Sequence, residues 1–481
     1  MVVLSSCKKM LDINTDPNRP TETAVTPDLA TAAQLNGSAA RNASAYDFLQ
    51  RWMGYWSASG SFSRSTVEMS YNITNTFGEG IWNGVYYSVS QYRSIGKKAD
   101  ALGWKFYSGI TKIMEAHDMA TLVDLYGDVP YSTAFDLTGN IRPTYDNDED
   151  IYKALLPLID QGLTLIKDAG QDKGIATQDI MFNGDKTKWA KFANSLKLRL
   201  LLHAYKTNVF NAQAEIAKIV AEGSGFLGNG VSARVQPGYS PDKPNPYFAA
   251  HLFLINGNEA DTYNRANVFT LNLMRTLNDS RYTKVYRPDK TNGGFKGTTY
   301  GADPLAENSS DLTSGPGYGP LGPNGQTASS PMWLMTSVEA MFLVAEATAR
   351  GWLTGDAKVA YENAVRESFA YLGLTTTEAN TYLTGSNSRV AWPATGTQQE
   401  KIAVIAWQKY FALTSIQANE TYSDWRRLGV VQPPVSVAPE RGNNAIPRRL
   451  LYPSAEYSYN AENVGKAGTI TPYSPKVFWD Q

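Results

Sequence analysis

Apolar residues recur at helical spacing most clearly between Met335 and Leu372. In the first half of this stretch they fall three or four positions apart, which places them on one stripe of a helix with 3.6 residues per turn. Gly351 ends that helix because glycine readily takes the left-handed conformation of a C-cap, and Asp356 is a good N-cap for a second helix. The pattern therefore predicts two packed helices, that is, a helical hairpin.

Small residues in the same stretch matter as much as the large ones. Five alanines let the two backbones approach closely: Ala345, Ala349, Ala357, Ala360 and Ala364. A unit of roughly 34 residues that alternates small and bulky positions is typical of tetratricopeptide repeats. Because one such hairpin cannot bury both of its faces, we expect further helix pairs in the chain.

Further helical patterns lie on both sides of this hairpin. The spacing predicts helices over residues 29–56, 83–102, 105–126, 151–167, 186–205, 212–222 and 266–277. Thr397 and Glu400 form a capping box at the start of one more. We therefore expect a mostly α fold, in which tetratricopeptide-like helical hairpins support a loop-rich ligand-binding region with a few short strands.

Apart from the helix predicted over residues 266–277, two stretches lack a helical period and are rich in Gly, Ser, Asn and aromatic residues. They cover about residues 57–82 and 224–334, and the second contains a Gly/Pro run at 315–326. Long loops inside an ordered domain are usually functional, so we interpret both as binding insertions. They belong to a single helical domain predicted over residues 28–481, which follows a signal remnant and tether at residues 1–27.

The amino-acid composition limits the kinds of partner that the protein can bind. The chain has 44 basic and 45 acidic residues in 481, a formal net charge of -1, and no basic block that would follow a phosphate backbone. Nucleic acid is therefore not an expected partner. The 11 Trp and 28 Tyr suit a surface that binds a partly polar ligand, because their side chains combine flat apolar faces with polar groups.

The single cysteine, Cys7, excludes a disulfide framework. It follows Leu4-Ser5-Ser6, which matches the end of a bacterial lipoprotein signal, where small residues precede a cysteine that becomes lipidated. The apolar run before it is too short for a complete signal, which suggests a truncated start or an alternative start codon. The alternative is an incidental cysteine in a leader. If the protein is anchored, lipid holds it, since no stretch approaches the ~20 apolar residues of a membrane span.

Aromatic and amide side chains in the two insertions are the candidate ligand-binding groups. A sugar needs flat apolar faces against the C–H faces of its ring, together with polar side chains for its hydroxyl groups. The alternative for each aromatic residue is that it only anchors its loop to the helices. The candidates are Trp56, Phe62, Tyr71, Phe77 and Trp82 with Asn72 and Asn75 in the first region, and Tyr300, Tyr318 and Trp333 in the second.

The sequence contains no motif that indicates catalysis. Neither GxSxG nor HExxH occurs, and no two of the three histidines have metal-binding spacing. His117 and His203 lie on apolar helical stripes and are predicted to be buried and hydrogen-bonded. Glu346 is predicted to form a structural ion pair with Arg426 or Arg427, because a carboxylate on a packed helix needs a partner. We therefore expect no catalytic residue, cofactor or metal.

Several short stretches resemble the SusD/RagB family of outer-membrane lipoproteins of Bacteroidetes, and more narrowly its second SusD-like branch. They occur in the order that the family shows and span nearly the whole chain. The matching stretches are LYGDVPY at 125–131, FANSLKLRL at 192–200, AEA at 345–347, DWRRL at 424–428, PRRLLYPSAEYSYN at 447–460 and FWD at 478–480.

This resemblance implies both a fold and a function. Members of the family have tetratricopeptide-like hairpins and sit at the cell surface, lipid-anchored to the outer membrane and facing outward. They act as lids over a SusC-like TonB-dependent transporter, capture oligosaccharides, or in some members peptides, for import, and are not enzymes. Peptide as the ligand, and a tetratricopeptide-type scaffold for another protein, remain the alternatives.

Overall fold

The structure, a computed structural model, describes residues 25–136, 139–170, 172–323 and 326–480. Cys7, the predicted lipidation site, and the predicted tether as far as residue 24 lie outside these ranges. Within them, no helix is both long enough and apolar enough to cross a membrane.

Helices are the main secondary structure of the described chain and strands are few and short, which confirms the predicted fold class. The predicted helix over residues 29–56 is instead two helices followed by a short strand. The helices are α1 (Pro27–Ser44), α2 (Asp47–Trp52), α3 (Glu79–Ala101), α4 (Lys105–Tyr126), α5 (Asp148–Asp168), α6 (Ile175–Gln178), α7 (Lys186–His203), α8 (Ala212–Glu222), α9 (Pro246–His251), α10 (Val268–Thr276), α11 (Tyr282–Val285), α12 (Ser337–Ala349), α13 (Ala357–Tyr371), α14 (Thr376–Leu383), α15 (Gln398–Ala412), α16 (Ala418–Leu428), α17 (Ser454–Tyr459) and α18 (Ala461–Lys466).

Short strands join segments that are far apart in the sequence. They are β1 (Trp56–Ala58), β2 (Val129–Pro130), β3 (Tyr145–Asp146), β4 (Ala233–Val235), β5 (Asn264–Ala266) and β6 (Met332–Met335). They form antiparallel pairs β1–β5, β2–β3 and β4–β6. In the first pair Trp56 lies opposite Ala266 and Ala58 opposite Asn264, so this pair fixes the first insertion against the second.

The helices pack as hairpins around one apolar core. Helices α12 and α13 form the predicted hairpin, with Asp356 capping α13 through its carboxylate, and α3, α4 and α5 pack successively in the N-terminal half. Helices α4 and α5 come especially close at Gly109 and Gly162. A Cβ atom on Gly109 would lie 2.5 Å from the carbonyl oxygen of Gly162, so only glycine allows this approach.

Ion pairs join helices inside the core. Glu346 on α12 accepts two hydrogen bonds from Arg427 on α16, at 2.7 and 2.6 Å, and two more from Arg350. Burial opposes the charge on Glu346, but the guanidinium groups outweigh it and hold the pKa of this carboxyl well below its ordinary value. The predicted pairing with Arg427 is confirmed, whereas Arg426 donates to the carbonyl oxygen of Asp124.

Both histidines predicted to be buried are buried and hydrogen-bonded. His203 lies between Asp124 and Glu420, with nitrogen–oxygen distances of 3.3 and 3.2 Å. Burial disfavours its protonated form, but the two carboxylates outweigh burial and raise the pKa of His203 to about 9. His117 bonds Asp118 at 2.9 Å, and burial lowers its pKa. Both residues are therefore parts of the core.

Candidate functional site

Five of the ten predicted ligand-binding side chains are covered by the protein. Each is no more than 4 % exposed, so its ring faces other side chains and not solvent. A ring in this position has no free face for a sugar. The structure therefore removes these five from the candidate site: Trp56, Tyr71, Trp82, Tyr300 and Trp333.

Hydrogen bonds explain why two of the tryptophans are buried. The indole N–H of Trp56 donates to Ser415 Oγ at 2.8 Å, and that of Trp333 donates to the carbonyl oxygen of Ile416 at 3.1 Å. Buried indole groups need such partners, and here both partners come from the segment between α15 and α16. These two tryptophans anchor the insertions to the helices, which is the alternative role considered for them.

The covered tyrosines have similar anchoring roles. The hydroxyl of Tyr71 accepts a hydrogen bond from the Ser436 amide at 2.8 Å. The hydroxyl of Tyr300 donates to Glu68 at 3.0 Å. Both hydroxyl groups are therefore occupied within the protein.

Trp82 packs among aromatic rings of other segments. Its ring centroid lies 5.1 Å from that of Tyr126 at the end of α4 and 5.8 Å from that of Tyr452 near the C-terminus. Edge-to-face packing at these distances stabilises buried rings. Trp82 therefore holds the start of α3 against the core.

Of the two predicted amide partners, one is engaged within the protein. The side chain of Asn75 donates to the carbonyl oxygen of Tyr452 at 2.7 Å. Asn72 is exposed and lies beside Gly442. Asn75 therefore fastens its loop to the C-terminal segment, whereas Asn72 is on the surface.

The two insertions lie next to each other, which the sequence alone does not show. The strand pair β1–β5 continues into a hydrogen bond from the Ser59 amide to the carbonyl oxygen of Tyr263, at 2.8 Å. The Thr298 hydroxyl also donates to the carbonyl oxygen of Ala58 at 2.9 Å. The first and second insertions therefore form one surface.

A hollow opens where these insertions meet, and we call it the first hollow. Its volume is about 300 Å³ when the open mouth is included, but the cavity itself is only about 10 Å³, so a ligand lies across the mouth and not inside it. Phe62 is 40 % exposed at this hollow and is the predicted ligand-binding ring that lines it. Side chains that line the hollow include Phe62, Arg64, Met69, Thr299, Asp303 and Asn308.

A cluster of charged groups holds the rim of the first hollow. Arg64 pairs with Asp303 and with Glu440, the latter at 2.6 Å. The hydrogen bond from Arg64 lowers the pKa of Glu440. Arg64 therefore links the first insertion to the second insertion and to the C-terminal segment.

A glycine is required where the two insertions touch. The Gly60 amide donates to the carbonyl oxygen of Asn308 at 2.6 Å. A Cβ atom on Gly60 would overlap the carbonyl oxygen of Leu305. The close backbone contact that shapes the first hollow therefore depends on the missing side chain.

The other exposed or half-buried candidates lie elsewhere. Tyr318 is half-buried, with its ring 6.2 Å from Phe253, and does not line the first hollow. Phe77 is half-buried and lines a separate hollow described below.

Tyr263, which the sequence pattern did not single out, stands edge-on to Phe62 at 5.3 Å. The sequence feature that could have identified Tyr263 is its position just before β5. This position points to the first hollow only when the pairing of β1 with β5 is known.

The side chains that line the first hollow are of the kinds that contact a partly polar ligand. It combines an exposed ring, a guanidinium group, a carboxylate and a hydroxyl group. In the described part of the chain, no group of three or more His, Cys, Asp or Glu side chains is placed to hold a metal ion. A hollow with these groups, held between two loops on a helical framework, suits a protein that binds a partly polar ligand.

The comparison with known families gives this class a name. The chain belongs to the second SusD-like family, described as "Starch-binding associating with outer membrane", whose model matches residues 17–453. The resemblance noted in the sequence is thereby confirmed. The protein is a non-catalytic nutrient-binding protein associated with the outer membrane.

Solved structures share the fold over nearly the whole chain. A SusD homolog from Bacteroides uniformis has a TM-score of 0.76 at 22% identity and covers 94% of this chain and 99% of its own. A SusD homolog from Bacteroides ovatus has a TM-score of 0.77 at 22% identity, with 95% and 98% covered. A chitin-binding SusD homolog from Flavobacterium johnsoniae has a TM-score of 0.76 at 22% identity, with 94% and 98% covered. No curated protein is detectably similar to this chain.

Proposed function

We propose that the protein captures an oligosaccharide in the first hollow, at the outer face of the outer membrane, and passes it to a SusC-like TonB-dependent transporter. A lipid on Cys7 holds it at the membrane in this proposal. The supporting observation is that the two insertions meet around the exposed ring of Phe62. Membership in a family of starch-binding proteins that associate with the outer membrane supports the ligand class.

The first hollow provides the two kinds of contact that a sugar needs. The face of Phe62 suits the C–H face of a pyranose ring, a contact that contributes about 0.5–1.5 kcal/mol by analogy with aromatic pairs. Arg64, Asp303 and Thr299 supply groups for sugar hydroxyls, at about 1 kcal/mol for each net hydrogen bond. One ring contact and three hydrogen bonds together contribute about 4 kcal/mol and give a Kd of about 1 mM, which suits a protein that must also release its ligand.

Chitin oligosaccharides are the first ligands to test. The solved relative from Flavobacterium johnsoniae is described as chitin-binding, and its fold matches this chain along almost its full length. The N-acetyl groups of chitin add amide donors and acceptors to the hydroxyl groups, which suits a hollow with both charged and hydroxyl side chains. Starch oligosaccharides and short peptides form the comparison panels.

Replacing Phe62 by alanine tests the proposed site. Isothermal titration of the full chain, carrying Cys7→Ser to prevent lipidation, measures binding of each panel. We expect Phe62→Ala to weaken binding of the preferred oligosaccharide about 3- to 10-fold, because it removes the exposed apolar face. Tyr87→Ala is the matched control, since Tyr87 is 61% exposed on α3 and does not line the first hollow.

Three results would contradict the proposal. Equal weakening by Tyr87→Ala and Phe62→Ala would show that the loss is not specific to the first hollow. Full affinity in Phe62→Ala would place the ligand elsewhere. Saturable binding of peptides alone would make peptide import the function, which is the nearest alternative.

A further inference from the structure

A second hollow opens on the other side of the first insertion, between α2 and the start of α3. The volume of its cavity is about 300 Å³, at the lower end of the range of small-ligand sites, and about 600 Å³ when the open mouth is included. It is distinct from the first hollow, and the two have no lining residue in common. Side chains that line it include Ser44, Asp47, Phe48, Arg51, Glu68 and Phe77.

Two aromatic rings form one wall of the second hollow. Phe48 and Phe77 stand edge to face, with centroids 5.1 Å apart. Phe77 also stacks on the buried ring of Trp52, at 5.9 Å and an interplanar angle of 13°. The rings are therefore held rigidly, and Phe77 is half-buried, so part of it remains open to the hollow.

The floor of the hollow is polar, and most of its groups are already satisfied. Arg51 donates two hydrogen bonds to Glu68, at 2.5 and 2.6 Å, and a third to Asn264 at 2.5 Å. Glu68 in turn accepts from Tyr300. This bidentate pair fixes the floor and leaves little hydrogen-bonding capacity for a ligand.

Asp47 keeps hydrogen-bonding capacity in the second hollow. Its side chain is 21% exposed, and its oxygens lie 3.5 Å from His251 Nε2 and 3.5 Å from the amide nitrogen of the Asn264 side chain. Both contacts are long for a charge-assisted hydrogen bond. A carboxylate in this position can accept hydrogen bonds from the hydroxyl groups of a sugar whose ring lies against Phe77.

The ring of Tyr263 lies between the two hollows. The ring of Tyr263 stands 5.3 Å from that of Phe62 in the first hollow and 5.5 Å from the guanidinium carbon of Arg51 in the second. The neighbouring residues Glu68 and Met69 line the second and the first hollow, respectively. Tyr263 lines neither hollow but lies beside a lining residue of each, so the two hollows are neighbours.

We propose that the second hollow is a second subsite for the same oligosaccharide, so that the preferred ligand is a chain of several sugar units that spans both hollows. This inference rests on the proposed function of the first hollow. Asp47 accepts hydrogen bonds from one unit while Phe62 packs against another. Joining two weak sites through one ligand raises affinity because binding at the second becomes intramolecular.

The test compares a short and a long ligand by isothermal titration of the full chain carrying Cys7→Ser. The probes are chitobiose and chitohexaose. We expect Asp47→Asn to weaken chitohexaose binding about 10-fold, as for the loss of a hydrogen bond to a charged group, and to leave chitobiose binding unchanged. Phe62→Ala should weaken both. Asp242→Asn is the matched control, since Asp242 is exposed and lines neither hollow.

A second variant guards against a loss of folding in Asp47→Asn. Gly80 lies at the rim of the second hollow in the first turn of α3, and a Cβ atom there meets no other atom within 4 Å. Gly80→Gln should therefore fold normally and obstruct the second hollow, again weakening chitohexaose binding alone. Gly37→Gln is its control, because Gly37 is a helical glycine with equally open surroundings outside the hollow.

The outcomes separate the two proposals. Unchanged chitohexaose affinity in folded Asp47→Asn and in Gly80→Gln, with weakening in Phe62→Ala, would overturn the second subsite and leave the first intact. Equal affinity of the original chain for chitobiose and chitohexaose would also overturn it. If chitin, starch and other oligosaccharides all failed to bind the original chain, the proposed function itself would fall.

Discussion

At the scale of single residues, buried charges are placed where helices meet. His203 is surrounded by Asp124 and Glu420, and Glu346 by Arg427 and Arg350. A buried charge without a partner is strongly destabilising, so each of these groups depends on its neighbours. The residue types at these positions therefore serve the packing of the helices.

The stability of the protein should fall as the pH rises from about 6.5 to about 9. The pKa of His203 is about 9 in the folded protein against an ordinary value of 6.5, so the folded state binds this proton more tightly. The resulting stabilisation is fully present below pH 6.5 and is lost as the pH rises through 9, by about 3 kcal/mol at most. Urea unfolding at pH 6.5 and pH 9 measures it.

The control for this prediction is His203→Gln. This variant keeps a hydrogen-bonding side chain but has no proton to lose, so its free energy of unfolding should depend less on pH over the same range. His251 contributes a trend of the same sign in both proteins, because Asp47 and Asp261 outweigh its burial and raise its pKa to about 10. An identical pH dependence in the two proteins would show that His203 is not protonated in the folded state.

The sequence predicted the burial of His203 from its place on an apolar helical stripe. It limited the partner of Glu346 to Arg426 or Arg427, of which Arg427 is the partner. It did not separate binding rings from anchoring rings. Trp56 and Phe62 both lie in or beside a glycine- and serine-rich insertion, yet one is buried and the other is 40 % exposed. The burial of Trp56 depends on Ser415, which lies 359 positions away in the sequence, and local sequence carries no information about that contact.

At the scale of elements, the helix boundaries predicted correctly are those with a local sequence signal. The incorrect ones depend on contacts between residues far apart in the sequence. The predicted helix over residues 212–222 is α8, and the capping box of Thr397 and Glu400 is confirmed at α15. The helical part of the predicted helix over 29–56 ends at Trp52, and the chain then pairs as β1 with β5. A further capping box at residues 375–378 starts α14, a local signal from which this helix could have been predicted.

The junction between the insertions should be sensitive to a single methyl group. Gly60→Ala would overlap the carbonyl oxygen of Leu305 and push the two insertions apart. We expect it to lower the free energy of unfolding by about 1–3 kcal/mol and to weaken oligosaccharide binding, since it distorts the first hollow. Urea unfolding and isothermal titration measure the two effects. Gly37→Ala, with no atom within 4 Å of the added carbon, should lower neither.

An unchanged affinity in Gly60→Ala, together with reduced stability, would show that the ligand does not use the junction. The first hollow would then be a structural gap and not a binding site. This result would also show that the close packing of the insertions contributes to stability and not to ligand binding.

At the scale of the whole molecule, the helices act as a framework for two loops. The apolar core extends from the helical hairpins into the bases of both insertions, where the buried aromatic rings hold them. The groups that stay open to the hollows include Phe62 in the first and Asp47 in the second. The fold class and family were accessible from the sequence because helical periodicity and short motifs persist along the chain, whereas the site depends on how distant loops meet.

A crystal structure of the full chain, carrying Cys7→Ser, with chitohexaose would show directly where an oligosaccharide binds. We predict one sugar ring against Phe62 in the first hollow and the sugar chain continuing past Tyr263 towards Asp47. A sugar chain bound at another face, with both hollows empty, would contradict it.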